Sequence, residues 1–113
     1  MGKGMRAGKK PSGGNANMKK QLAQVQAIQK MMDDKQAEID LMEATATSGG
    51  GAVSVTVNGK KALTKVEIQK EVVDPDDVEM LQDLIMTAVN EALRQIEEIS
   101  NAEMSKLTAG LGL

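Results

Sequence analysis

The chain has 113 residues and a formal net charge of −2, with no Phe, Trp, Tyr, Cys or His. That length suits one domain with a core of Leu, Ile, Val, Ala and Met, and the missing Cys and His exclude a disulfide framework and the usual zinc sites. Charge is unevenly placed: Lys3, Arg6, Lys9, Lys10, Lys19 and Lys20 fall in the first twenty residues with no acid among them, so the remainder is strongly acidic, the pattern of a basic arm on an acidic body.

Residues 1–16 are rich in Gly, Lys and Asn and nearly free of apolar side chains, which predicts a disordered basic arm. Its charges are not followed by the apolar stretch of a secretory signal. Arg6 stands where a myristoylation signal needs Ser or Thr. No run of about 18 apolar residues occurs anywhere, so no membrane span is expected.

A long helix follows, capped by Asn15 or Asn17 and reaching about Glu43. Met18, Leu22, Val25, Ile28, Met32, Ile39 and Met42 recur at three- to four-residue steps, with one wider gap across Lys35 and Gln36. This is the spacing of an amphipathic helix. At 1.5 Å per residue, roughly 27 residues span about 40 Å, more than the about 30 Å of a compact body of this size. Such a helix either projects or lies along a second chain.

Ala44–Thr47 reads as a first strand, and Ser48–Gly51 as a loop. The three glycines neither open a helix nor precede a Lys-Ser/Thr pair, so they do not form a phosphate-binding loop. Val53, Val55 and Val57 alternate with small polar residues up to Asn58-Gly59, the favoured pair for a type I′ turn. A two-residue turn there pairs Val57 with Lys60, Val55 with Ala62 and Val53 with Thr64, with Val66 and Ile68 continuing that face. Thr56, Lys61, Leu63, Lys65 and Glu67 take the opposite one. A sheet of two or three strands with one apolar face needs a cover.

Asp74 reads as the N-cap of a second helix and Pro75 as its first residue, with Asp76, Asp77 and Glu79 against the positive end of the helix dipole. The EF-hand spacing and its Gly are missing, so these acids read as capping groups and no metal site is expected. The helix runs to about Lys106 with a broad apolar stripe that includes Leu81, Ile85 and Val89. These three are the candidate dimer contacts, and 108–113 is expected to be a flexible Gly/Leu tail. No nucleophile–base pair or nucleotide motif stands out, which speaks against an enzyme and a small-molecule substrate. No cofactor is implied.

Together these elements make an α+β chain: long helix, small antiparallel sheet of about three strands, long helix. The order of long helix, Gly-rich loop, VTVNGK hairpin, DPDDVEMLQDLI and AVNEAL, ending in Met104-Ser105-Lys106-Leu107-Thr108-Ala109-Gly110-Leu111-Gly112-Leu113, resembles the YbaB/EbfC family of nucleoid-associated proteins over residues of about 17 to 113. The resemblance implies a domain over residues 17–107. It also implies a homodimer with protruding helices that binds double-stranded DNA in the cytoplasm, at the nucleoid, with a role in chromosome organisation and gene regulation.

Two helices leaving the sheet on the same side run antiparallel, which would bring Lys19 and Lys20 beside Lys106, with Lys3, Arg6, Lys9 and Lys10 nearby. These seven are the candidate DNA contacts, acting on phosphates without reading sequence. Asn17, Gln21 and Gln24 would reach base edges if the helix start entered a groove, although such residues are more often simply solvated helix positions. Single-strand binding is disfavoured because it relies on aromatic platforms. The rival reading is a helical protein-interaction scaffold without direct DNA binding.

Overall fold

The computed structural model describes residues 12–112 of the chain. It contains helix α1 (Ser12–Asp40), strands β1 (Glu43–Ser48), β2 (Val53–Asn58) and β3 (Leu63–Ile68), and helix α2 (Val78–Gly110). Short 3-10 turns occupy Gly49–Gly51 and Lys70–Val72. The α+β order expected from the sequence is therefore present. The chain divides into two compact units, one up to Asp34 and one from Lys35 onward.

The first unit contains α1 as far as Asp34. The helix begins at Ser12, so Asn15 and Asn17 lie inside it and neither is the cap. Most of the apolar stripe in this part faces solvent, with Met18, Leu22 and Val25 each more than half exposed. Local i,i+4 contacts stabilise the helix surface, Gln29 to Asp33 and Lys30 to Asp34.

The second unit is a sheet with α2 packed over part of one face. The strand order is β1-β2-β3, antiparallel throughout. Strict alternation puts Ala44 and Ala46 on the same side as Val53, Val55 and Val57, and all five are buried. Ala88, Ala92 and Ile96, spaced by four on α2, close over them. Alanine at two of those positions lets the helix backbone approach the sheet, while the larger Leu81, Leu84, Ile85, Val89, Leu93 and Ile99 pack around the rim. Each fully buried Val or Ile contributes about 2 kcal/mol of hydrophobic stabilisation. Ser48 ties strand to helix by donating to the Leu84 carbonyl at 2.6 Å. Helix α1 ends three residues before the expected Glu43, in a tightened turn closed by bonds from Leu41 N–H to the Glu38 carbonyl and Met42 N–H to the Ile39 carbonyl. Ile39, in its last turn, is fully buried.

The hairpin register differs from the expected one. Val57 pairs with Leu63, Val55 with Val66 and Val53 with Ile68, with an irregularity between Thr56 and Val57. The loop is longer than two residues because Asn58 bonds its own following backbone: its Oδ1 accepts from the N–H groups of Lys60 and Ala62. Lys61 N–H donates to the Asn58 carbonyl, and Lys61 itself takes the left-handed conformation. Gly59 does not. This register sets aliphatic residues directly opposite each other, which buries more apolar surface than pairing Val53 with Thr64. It also moves Leu63 onto the valine side.

The start of α2 is likewise shifted. Asp74 closes a turn, accepting from Asp76 N–H through its side chain and from Asp77 N–H through its carbonyl. Pro75 serves that turn as its second residue, a position its fixed φ suits as well as a helix start. Asp77 is the N-cap, accepting from Met80 N–H. Only Glu79 remains as an acid within the first turn. At the other end α2 continues past Lys106 to Gly110. Leu111 N–H bonds the carbonyls of Leu107 and Thr108, and Gly112, at positive φ, turns the chain out of the helix, as glycine commonly does there.

Candidate nucleic-acid interface

The basic side chains sort themselves by whether an acid holds them. Arg94, on α2, lies between Glu91 and Glu98 and hydrogen-bonds both. The guanidinium holds the Glu91 carboxyl down at about 2, and Glu91 in turn raises Arg94 further above its already high range. Whatever the Glu91 contact adds to stability is present above the ordinary glutamate range and lost as pH falls toward 2. Exposure to solvent keeps it small. Arg94 is thus committed to its own helix.

Lys35 is the second committed cation. Its side chain is only 22% exposed and reaches Glu103 of α2 at 3.2 Å and Glu38 at 3.3 Å. The bond to Glu103 is the main reason Lys35 is held above the ordinary lysine value and Glu103 below the ordinary glutamate value. The wider gap in the apolar spacing of α1 therefore falls where a charged clip joins the last turns of α1 to α2. The gap was visible in the sequence, but its partner, 68 positions away in the chain, was not.

Of the seven candidate DNA contacts, Lys3, Arg6, Lys9 and Lys10 lie outside the described residues. Lys19 and Lys20 are exposed on α1 in the first unit, and neither has an acid within ion-pair distance among the described residues. Asn17, Gln21 and Gln24 are exposed on the same helix. Met18, Lys19, Gln21, Leu22 and Val25 border an open depression of about 420 Å³ along that helix. Its wall is mainly apolar, with no acid, and it holds no nucleophile–base pair. Lys106, in the second unit, is 72% exposed and stands 3.8 Å from Glu103, which it shares with Lys35. A pair that long and exposed is readily exchanged for another anion.

Three more free cations lie outside the seven candidates. Lys60 and Lys61 at the β2–β3 turn, and Lys70 beyond β3, are exposed and unpaired among the described residues. Lys65 between them is tied to Glu67 at 3.3 Å. The sequence signal for two of them is the Lys-Lys pair that follows Asn58-Gly59.

Leu81, Ile85 and Val89 are half-buried, packed against the core of their own unit. The valine side of the sheet is covered over β1 and β2 by α2, but β3 is exposed along its whole length. Leu63, Val66 and Ile68 retain 47%, 45% and 39% of their accessible surface. The acids Asp74, Asp76, Asp77 and Glu79 are exposed around the start of α2. Among the described residues no group of three or more potential ligating side chains is placed to hold a metal, and no helix is long and apolar enough to cross a membrane.

The family model for YbaB/EbfC DNA-binding proteins matches residues 14–111. A nucleoid-associated protein of Clostridium acetobutylicum is 57% identical over 103 residues, which make up 91% of this chain and 92% of the relative. One from Agathobacter rectalis is 56% identical over 107 residues, 95% of each chain. Among solved structures, an uncharacterized protein from Helicobacter pylori aligns with a TM-score of 0.67 at 24% identity, covering 76% of this chain and 90% of the other. That likeness concerns the fold alone.

Proposed function

The chain belongs to the YbaB/EbfC DNA-binding family, and on that premise we propose that it is a nucleoid-associated protein that binds double-stranded DNA as a homodimer, mainly through phosphate contacts. The family match over residues 14–111 carries the reading. The physical support is the sorting of charge. Lys19, Lys20 and the four cations of residues 1–11 supply positive charge at one end of a chain that is otherwise acidic. Lys106 adds a weakly held cation from α2. Lysine and arginine on phosphates release counterions and bind without regard to sequence. The acids at the start of α2 would face away from the duplex.

The dimer is supported by apolar surface that the single chain leaves in water. Leu63, Val66 and Ile68 on β3 and the stripe of Met18, Leu22 and Val25 on α1 are both apolar and uncovered. Contiguous exposed apolar surface commonly marks a protein partner. Ile85, half-buried beside the core, is the contact we propose from α2. Replacing it with Gln is expected to halve the mass seen by light scattering while circular dichroism keeps its helical signal. A variant that stays fully dimeric would count against this contact.

The direct test of function is titration of mixed-sequence duplex DNA in a gel-shift assay at about 50 mM and about 150 mM salt, with the steep salt dependence of a phosphate-dominated complex expected. No shift at either salt, together with a stable protein partner in pull-down, would favour the scaffold reading instead.

A further inference from the structure

The β2–β3 turn offers free positive charge on a rigid support. In the second unit Lys35, Lys65, Arg94 and Lys106 each have an acidic partner, whereas Lys60 and Lys61 have none among the described residues and are exposed at the tip. The turn keeps its shape without their side chains. Asn58 Oδ1 accepts from Lys60 N–H at 2.9 Å and from Ala62 N–H at 3.1 Å. Asn58 N–H and the Ala62 carbonyl close the loop at 2.9 Å. Gly59 lies flat against the backbone of Ile39 and Asp40. Two acids lie beside the turn among the described residues, and both are occupied: Asp40 accepts a hydrogen bond from Gln36, and Glu43, opposite Asn58 on β1, accepts one from Thr64.

Lys61 sits at φ 65°, in the left-handed region where glycine is at ease and a side chain is strained. A lysine at such a position, next to a second lysine and with no fold contact to explain either, points to a use for the side chains. The location is informative too. The turn rests on the end of α1 at Ile39 and Asp40. One helical turn earlier Lys35 reaches Glu103, which also contacts Lys106. The turn and Lys106 thus belong to the same end of this unit.

We infer that Lys60 and Lys61 form a phosphate-contacting tip that extends the duplex-binding surface carried by Lys106; this rests on the duplex-binding reading above. The test compares the full-length protein with a Lys60→Ala/Lys61→Gly double variant and with Lys65→Ala, measuring affinity for mixed-sequence duplex DNA from 50 to 200 mM salt. For each tip engaged, two lost phosphate contacts at a slope of about 0.9 each shrink the ratio of affinities at those two salts by about tenfold. The melting temperature of the double variant should be equal or higher, because glycine relieves the left-handed residue. Lys60→Ala alone, which leaves the turn backbone untouched, gives about half the change in slope. Lys65→Ala, which removes a paired cation, changes little. Unchanged affinity and slope in the double variant overturn the inference, and so does an equal loss in Lys65→Ala, since bulk charge would then be the cause. Failure of the parent protein to bind any duplex would instead sink the duplex reading itself.

Discussion

Replacing Gly59 with alanine is expected to destabilise the protein by about 3 kcal/mol, the upper end of the usual cost of overpacking, and to lower the melting temperature by more than about 12 °C at 4–8 °C per kcal/mol. A Cβ at this position would lie 1.8 Å from the Ile39 carbonyl oxygen and 2.5 Å from its carbon. Both are backbone atoms at the buried end of α1, so no side chain can swing away. The hairpin would have to lift off the helix or Ile39 would have to leave the core, where it is fully buried. The control is Gly50→Ala. Gly50 has positive φ but nothing within 4 Å of an added Cβ, so it carries only the torsional cost of about 1–2 kcal/mol. Thermal melts that rank Gly50→Ala as the more damaging change would show that the close packing of the turn on α1 is misjudged.

Removing residues 1–11 is expected to have the largest effect on DNA binding. This deletion takes away Lys3, Arg6, Lys9 and Lys10 and stops just before α1 begins at Ser12. If all four contact phosphates, the salt slope falls by up to about 3.6 for each arm engaged, and the affinity ratio between 50 and 200 mM salt shrinks by about 150-fold. The melting temperature should hardly change, because the buried core is built entirely from residues 39 onward. Equal affinity at 50 mM salt with and without these residues would remove the arm from the mechanism and leave Lys19, Lys20 and Lys106 as the proposed contacts.

Much of this molecule is legible in its sequence. Periodicity found both helices, the alternation of Val53, Val55 and Val57 found the central strand, and Asn58-Gly59 and the Asp74–Asp77 run marked corners that exist. What went wrong at each corner has a local cause. Asn58 and Asp74 both use their side chains to bond the backbone two residues on, which lengthens one turn and delays the helix after the other. Residue type alone does not say whether such a side chain will cap, bond its own turn or face water. Six of the candidate contacts follow from charge density at the start of the chain, and Lys106 follows from the expected antiparallel helices. The turn lysines were missed because a charge count cannot tell a cation held by an acid from one left free.

By itself the sequence determined the composition of the core, the order of the elements, the family and the separation of a basic start from an acidic remainder. These depend on residue type and short-range spacing, which the chain carries locally. Only the tertiary structure decided the hairpin register, the clip between Lys35 and Glu103, and the reason for Gly59. Each is a contact between residues distant in the chain or a choice among turns of nearly equal local energy. The packing of Val55 on Val66 and of Gly59 on the Ile39 carbonyl settles those choices through excluded volume and buried area, quantities that exist only once the elements have come together.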